Sequence, residues 1–344
     1  MPLNVDPLNE EGLVKALSRP YREDVDVAGR LDGDVIVLGA GGKMGPTLVA
    51  RIARAMQQAG SPHNVYAVSR YSEPERLREI EEAGATAISA DLMDEEALAD
   101  LPACPNVIYL VGMKFGASGD ASRTWALNAY LPGRVASRYR HARIVALSTG
   151  NVYPKVSPAS GGCTEEDRTD PVGEYAQSCL GRERMFEYFS RRHETPTCLI
   201  RLNYAVEARY GVFLDIARQV YRGEPVSVEM GYVNTIWQGD ANSVCFRALE
   251  ACASPPHVLN VTGPDILRVR DIAEEFGRRF GVSPVLHGTE QPTAFLSDAA
   301  RCHARFGKPK VTTEEVLDLV AAWVDEERET YGKPTRFEVR DGRF

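Results

Sequence analysis

This 344-residue chain offers little to a metal ion or a disulfide framework. Its seven cysteines, Cys104, Cys163, Cys179, Cys198, Cys245, Cys252 and Cys302, never fall as C-x-x-C pairs, and its six histidines are equally dispersed. No metal is therefore expected. No apolar run is long enough to cross a bilayer, and the opening MPLNVDPLNEEG has neither the basic start nor the apolar stretch of a signal peptide. A cytoplasmic location, with no membrane partner, is the default expectation. The formal net charge is −8, and no dense Lys/Arg stripe with interleaved aromatics occurs, so nucleic acid is not an expected partner. What remains, 44% hydrophobic and 26% charged, is an ordinary globular composition, long enough for one large domain and a smaller one.

One stretch stands out, DVIVLGAGGKMGPTLV from Asp34 to Val49. Val35, Ile36, Val37 and Leu38 form an apolar run suited to a strand buried on both faces, and Pro46 fits the first turn of a helix, where its missing N–H costs little. Between them Gly39, Gly42 and Gly45 stand at G-x-x-G-x-x-G spacing, with Gly41 inside. Such a turn has no Cβ atoms to keep backbone N–H groups and a helix N-terminus away from a pyrophosphate. The expectation is a dinucleotide site contacting Gly39, Gly42, Lys43, Met44 and Gly45.

Residues 1–33 precede this turn and include a short helix, Glu10 to Ser18, expected to dock on a sheet edge or a partner subunit. From Asp34 the pattern is regular. A helix from about Lys43 to Ala59 leads to the strand NVYAVS, and a helix from Pro74 to Ala83 leads to ATAISA. A short acidic helix near Asp94 to Leu98 precedes NVIYLV, one long helix from Ser122 to Tyr139 precedes RIVALS, and a helix after Gly173 precedes TCLIRL. Alternation at this spacing predicts an α/β fold, a Rossmann-type doubly wound parallel sheet with its ligand crevice at the strands' C-terminal ends. Residues 34–202 are expected to form the dinucleotide-binding domain, with later segments returning to the sheet. Residues 203–344 are expected to form mainly a smaller α/β substrate domain and tail, containing PVSVE, VNTIW, HVLNV and helices at Phe213–Tyr221, Asp240–Ala253, Val269–Phe280 and Thr313–Glu329.

The end of the second strand bears on cofactor choice. An acidic residue there would accept ribose hydroxyls, whereas this chain has Ser69 and Arg70, a pairing suited to a 2′-phosphate; NADP is favoured and NAD remains possible. Asp91, beside Leu92 after the third strand, is positioned to meet the adenine or to cap the next helix.

The GAGGKMG turn, Asp91-Leu92, NVIYLVG with Val111 and Gly112, Asn128 in ALNAYLPG, VALSTGNVYP and Tyr175 opening a helix together resemble an extended short-chain dehydrogenase/reductase of the NAD(P)-dependent sugar epimerase/dehydratase group. The resemblance extends over nearly all the chain after about residue 33. It implies Tyr175 as general acid/base and cofactor contact, Thr149 as its hydroxyl partner with Ser148 beside it, and a homodimer paired through the helices Ser122–Tyr139 and Gly173–Arg192. A Tyr phenol moving a substrate proton while hydride moves at the nicotinamide is sound chemistry for these residues.

Two departures qualify the match. Where the family has Y-x-x-x-K this chain has Tyr175-Ala176-Gln177-Ser178-Cys179, and cysteine cannot lower the phenol's pKa as an ammonium would. Lys114 is the first candidate to substitute; Arg182, about 10 Å further along the helix axis, is a second. Between Arg222 and Arg247 no Lys or Arg occurs, so the cation that nucleotide-sugar members bring to a diphosphate is missing. A small polar substrate, a sugar or sugar acid, is preferred, with Asn151, Asn203, Arg209, Asn234 and Trp237 as candidate wall residues. The leading expectation is an NAD(P)-dependent oxidoreductase or epimerase. A catalytically impaired cofactor-binding protein competes with it, and a nucleotide-sugar epimerase/dehydratase is a further alternative.

Overall fold

Alternation of side chains along the strands builds two cores from one sheet. The computed structural model describes residues 3–71, 74–114 and 119–343. Strands β1 (Val35–Leu38), β2 (Val65–Ser69), β3 (Thr86–Ser89), β4 (Asn106–Tyr109), β5 (Arg143–Thr149), β6 (Thr197–Leu202) and β7 (His257–Val261) form one sheet in the order 7-6-5-4-1-2-3. Every pairing in it is parallel, Val35 standing beside both Val65 and Asn106. Val35 and Val37 point into one apolar layer and Ile36 and Leu38 into the opposite one, so β1 is buried on both faces as its apolar run implied.

Helices α1 (Glu10–Leu17), α2 (Arg22–Ala28), α3 (Gly45–Ala59), α4 (Pro74–Glu82) and α5 (Glu95–Ala99) occupy the first part of the chain. They are followed by α6 (Ala121–Trp125), α7 (Leu131–Arg138), α8 (Gly173–His193), α9 (Val212–Tyr221) and α10 (Gln238–Arg247), then by α11 (Val269–Phe280), α12 (Ala300–Phe306) and α13 (Thr313–Asp325). α2, α3 and α10 contribute to the core on one face of the sheet, α5, α7 and α8 to the core on the other. A third core, built from α1, α9, α11 and α13, forms the smaller layer at the sheet's C-terminal end.

Four elements differ from expectation. The helix expected as one piece from Ser122 to Tyr139 is α6, a π-helical turn at Ala126–Tyr130, and α7. Pro132 near the start of α7 has no N–H to give the carbonyl four residues back, and the chain widens there by one residue. PVSVE pairs only through Val226–Ser227. VNTIW divides between Tyr232–Val233 and Ile236–Trp237, because the Asn234 side chain between them is committed to the Ser297 carbonyl at 2.6 Å. The N-terminal segment docks on α3 and α10 and into the third core, not on a sheet edge, and α2 extends it beyond the one helix expected.

That docking is fixed by a buried ion pair. Asp24 on α2 and Arg51 on α3 are fully buried 2.7 Å apart; Asp24 also accepts from Ser243 Oγ at 2.6 Å and from the Tyr21 backbone N–H at 2.8 Å. Arg51→Met leaves the Asp24 carboxylate buried without its charge partner. It is expected to destabilise the fold by about 3–5 kcal/mol in denaturant titration; an unchanged midpoint would show the pair to be dispensable.

Candidate functional site

The glycine turn is shaped by close backbone approach. The N–H groups of Gly39 and Ala40 both donate to the Val68 carbonyl, at 2.9 and 3.0 Å, tying the end of β1 to the end of β2. Gly39 adopts φ +90°, and a Cβ there would press on Val111 at 2.9 Å. A Cβ on Gly45 would overlap the Ala40 carbonyl, so α3 starts against the turn only because Gly45 has none. Gly42 differs. The nearest atom to its hypothetical Cβ is the Gly39 carbonyl at 3.4 Å, leaving that side open to a cleft. The N-terminus of the 15-residue α3 also faces this turn, and Met44, at its cap, gives no side-chain hydrogen bond to the helix's N–H groups.

A cleft of about 780 Å³ runs from this turn along the strand ends. Gly39, Gly42, Lys43, Ser69, Arg70, Asp91, Leu92, Val111 and Gly112 line it. Asp91 does not cap α5; Asp94 does, accepting from Glu96 and Ala97, while the Asp91 carboxylate accepts from the Met93 N–H at 3.0 Å and lines the cleft. Arg76, Arg123, Tyr331 and Lys333 complete the wall and were not foreseen, because only folding brings α4, α6 and the last segment of the chain to the strand ends. An open glycine cradle, a helix N-terminus and several cations beside it fit a dinucleotide.

A second cavity of about 410 Å³ shares Gly39, Gly42, Lys43 and Gly112 with the first. Met44, Gly45, Lys114, Ser148, Thr149, Asn151, Tyr175 and Asn203 also line it, joined by Arg182, Tyr204, Tyr210, Gln238 and Thr335. Thr149 and Cys179 stand close enough to Tyr175 to act on its phenol. Burial, with Cys179 adding to it, pushes the Tyr175 phenol well above its ordinary range, while Arg182 and Thr149 pull the other way. Ser148 faces elsewhere: its Oγ donates to Glu183 at 2.6 Å, and Glu183 is held in turn by Arg201 at 2.7 Å.

The same dry surroundings act on two lysines. Burial, then repulsion from Lys114 and Lys333, pushes the Lys43 ammonium down to about 7, and its Nζ lies 3.1 Å from the centroid of the Tyr210 ring. Burial pushes Lys114 down to about 8 against the opposing pull of Asp215, and its Nζ donates to the Thr335 carbonyl at 3.0 Å.

Asn128, on the π turn, organises the floor. Its amide grips both the N–H and the carbonyl of Met113, at 2.8 and 3.0 Å, and donates to Ser178 on α8 at 2.9 Å. Three expected wall residues do not reach this cavity. Arg209 is buried between Glu207 and Glu10, Asn234 spans Asn203 and Ser297, and Trp237 packs in the third core. A polar or aromatic residue in a loop carries no sequence mark of which side it faces.

A family model described as the NAD dependent epimerase/dehydratase family matches residues 35–261. No curated protein matches the chain in sequence. Among solved structures, the chain is similar to a UDP-glucose 4-epimerase of Thermotoga maritima with UDP-glucose, at TM-score 0.71 and 18% identity, over 86% of this chain and 99% of that one. It is similar to a variant UDP-glucuronic acid 4-epimerase of Bacillus cereus, in complex with NAD and a fluorinated UDP-glucuronic acid, at TM-score 0.72 and 15% identity, over 86% and 99%. The Thermus thermophilus UDP-glucose 4-epimerase in complex with NAD gives 0.70 and 18%, over 84% and 98%. At such identities these likenesses are of fold.

Because a Cβ at position 42 meets no atom closer than 3.4 Å, Gly42→Ala is expected to leave the melting temperature of the free protein unchanged. It is expected to abolish the rise that NADH or NADPH produces, which thermal melts with and without dinucleotide would read.

Proposed function

The chain belongs to the NAD dependent epimerase/dehydratase family, and from that premise we propose that it is an NAD(P)-dependent oxidoreductase or epimerase acting on a hydroxyl or carbonyl of a small polar substrate. The observation that carries this reading is Tyr175 and Thr149 side by side on a cavity continuous with the glycine turn. Residues 34–202 act as the dinucleotide-binding domain and 203–344 mainly as the substrate domain. A bound nicotinamide supplies hydride transfer. The chain's own residues handle the proton: Tyr175 takes it from, or returns it to, the substrate oxygen, and the Thr149 hydroxyl fixes that oxygen beside the phenol. Asn128 holds the Met113 backbone, keeping the loop after β4 against the cavity. Asn151 and Asn203 supply neutral polar contacts for substrate hydroxyls.

A small substrate is favoured by what crosses the cavity mouth. Thr335 is held by Asp215 through its N–H and its hydroxyl, at 2.7 and 2.6 Å, and its carbonyl takes Lys114. Phe337 is buried in the third core, Arg340 is committed to Thr293 and to the Glu229 carbonyl, and Gly342 abuts Val172 and Gly173 at the start of α8. This strap spans from α9 to the Tyr175 helix, and the 410 Å³ it leaves suits a sugar or sugar acid better than a nucleotide sugar. The 2′-phosphate of NADP would find Arg70 in the cleft, with Arg76 and Lys333 on the same wall. Trp125, Tyr130 and Tyr188, the first two in the segment from α6 to α7 and the third on α8, are 39%, 54% and 52% exposed and support a homodimer through these helices. Cys179 beside Tyr175 favours a second reading, a binding protein that retains the cofactor without turnover.

Turnover with a panel of free sugars and sugar acids, and its loss by about 10²–10⁴-fold in Tyr175→Phe, would support the enzyme reading. Turnover confined to UDP-sugars would overturn the small-substrate assignment, and cofactor binding without turnover on either panel would establish the second reading. For the cofactor, Arg70→Ala is expected to weaken NADPH by roughly 10- to 100-fold and to leave NADH nearly unaffected in fluorescence titration. Equal losses would sink the 2′-phosphate assignment.

A further inference from the structure

The cavity contains a cation that the proposed chemistry has not yet used. Arg182 lies on α8 one turn beyond Cys179 and is 5% exposed. Helical side chains lean toward the N-terminus, so its long arm sweeps back across the face carrying Cys179 and Tyr175. Cys179 is small and fully buried, and it stands among the groups that act on the guanidinium. Nη1 donates to the Leu147 carbonyl at 2.6 Å, two residues before Thr149, and Nη2 donates to Asn128 Oδ1 at 3.0 Å. Nη2 also lies 2.7 Å from where a Cβ on Gly112 would stand, so the group is wedged between the ends of β4 and β5.

Three features separate this arginine from an ordinary structural one. It lines the cavity. Among the described residues no carboxylate pairs with it, since the neighbouring Glu183 is taken by Arg201 and Ser148. Among the described residues its buried Nε has no hydrogen-bond partner. A buried cation of this kind has a large field and little to quench it, because water is excluded and the two acceptors it has are neutral.

We infer that Arg182 is the positioning residue for Tyr175, supplying from two turns away the fixed positive charge that opposes burial and eases the release of the phenol's proton. The inference rests on the assignment of Tyr175 as the acid/base group. Among the described residues, Cys179 and Arg182 share the helix of Tyr175, and Thr149 faces it from β5. Around Arg182 stand Tyr109 on β4, whose ring centroid is 5.8 Å from its Cζ, and Glu183. Lys114 acts on Cys179 from the loop after β4, with its ammonium on the Thr335 carbonyl. Opposite charge favours the ionised phenol, whereas burial and the Cys179 thiol oppose it.

A double-mutant cycle at positions 179 and 182 tests this without requiring a known substrate. Cys179→Lys alone sets a second cation into the space Arg182 fills, and is expected to lower the melting temperature and the affinity for NADH and NADPH. In Cys179→Lys/Arg182→Met the ammonium has that space to itself, so the double variant is expected to melt above Cys179→Lys. Additive losses overturn the inference, because they would mean that the two side chains do not compete for one place. Where turnover is measurable, Arg182→Met is expected to move the ascending limb of the oxidation pH–rate profile, on which Tyr175 ionises, upward by about 1–3 pH units. Sign follows from charge: removing a cation disfavours tyrosinate, so more alkaline solution is needed to reach it. The double variant is expected to bring the limb back toward its original position, and Arg182→Lys, which keeps the charge but not the planar fork, to move it least. An unmoved limb in Arg182→Met while Tyr175→Phe is inactive overturns the role of Arg182 and leaves that of Tyr175 intact. Full activity in Tyr175→Phe overturns the functional reading itself, and the cycle then reports separately on whether positions 179 and 182 share one space.

Discussion

The constraint on which the rest of this molecule depends is the contact between the first turn of α3 and the Ala40 carbonyl, which only a residue without Cβ permits. With Gly45 at that place the helix begins directly against the strand end and its N-terminus is aimed across the cleft. Gly39 and Ala40 can then tie to β2, and Gly41 can pack against Ser69, which sets Arg70 at the far end of the same cleft. A displaced α3 would also carry away Arg51, and with it the ion pair that holds the N-terminal helices to the fold. The shape of the glycine turn and chain stability are therefore coupled through one short stretch of backbone.

Exclusion of water is the common cause of the site's electrostatics. The same low dielectric that pushes the Tyr175 phenol up lowers Lys43 to about 7 and Lys114 to about 8, since each group is displaced toward its neutral form. An arginine resists this fate because its intrinsic pKa is too high for burial to neutralise it near neutral pH. In a cavity that tends to discharge lysines, a guanidinium is the cation that keeps its charge, which gives Arg182 a physical rationale where a lysine at position 179 is absent. The arrangement depends on the π turn as well, because Asn128 supplies one of the two acceptors that fix the guanidinium.

Both ends of the described chain pack against elements that frame the crevice. The N-terminal helices bridge α3 and the third core, and the strap from Tyr331 to Gly342 bridges α9 and the start of α8. Lys114, a candidate from its position after a strand, ends on a strap carbonyl more than two hundred residues away in sequence. What the cavity admits is thus decided by segments whose sequences carry no motif.

The local pattern was sufficient for the parallel sheet, the glycine turn and the Tyr175 helix, because apolar periodicity and the need for a missing Cβ are properties of neighbouring residues. It also placed Ser69, Arg70, Asp91, Thr149 and Tyr175 at strand ends or a helix start, where a parallel sheet brings its ligand crevice. Orientation was beyond it. Whether Ser148 or Thr149 meets Tyr175, whether Trp237 lines a wall or fills a core, and whether Arg182 reaches back over Cys179 depend on contacts between residues far apart in the chain. Sequence determines which groups stand near the crevice, since secondary structure is set locally. Only the tertiary structure decides which of them share a dry cavity, because burial, and with it the strength of every charge, is a property of the packed whole.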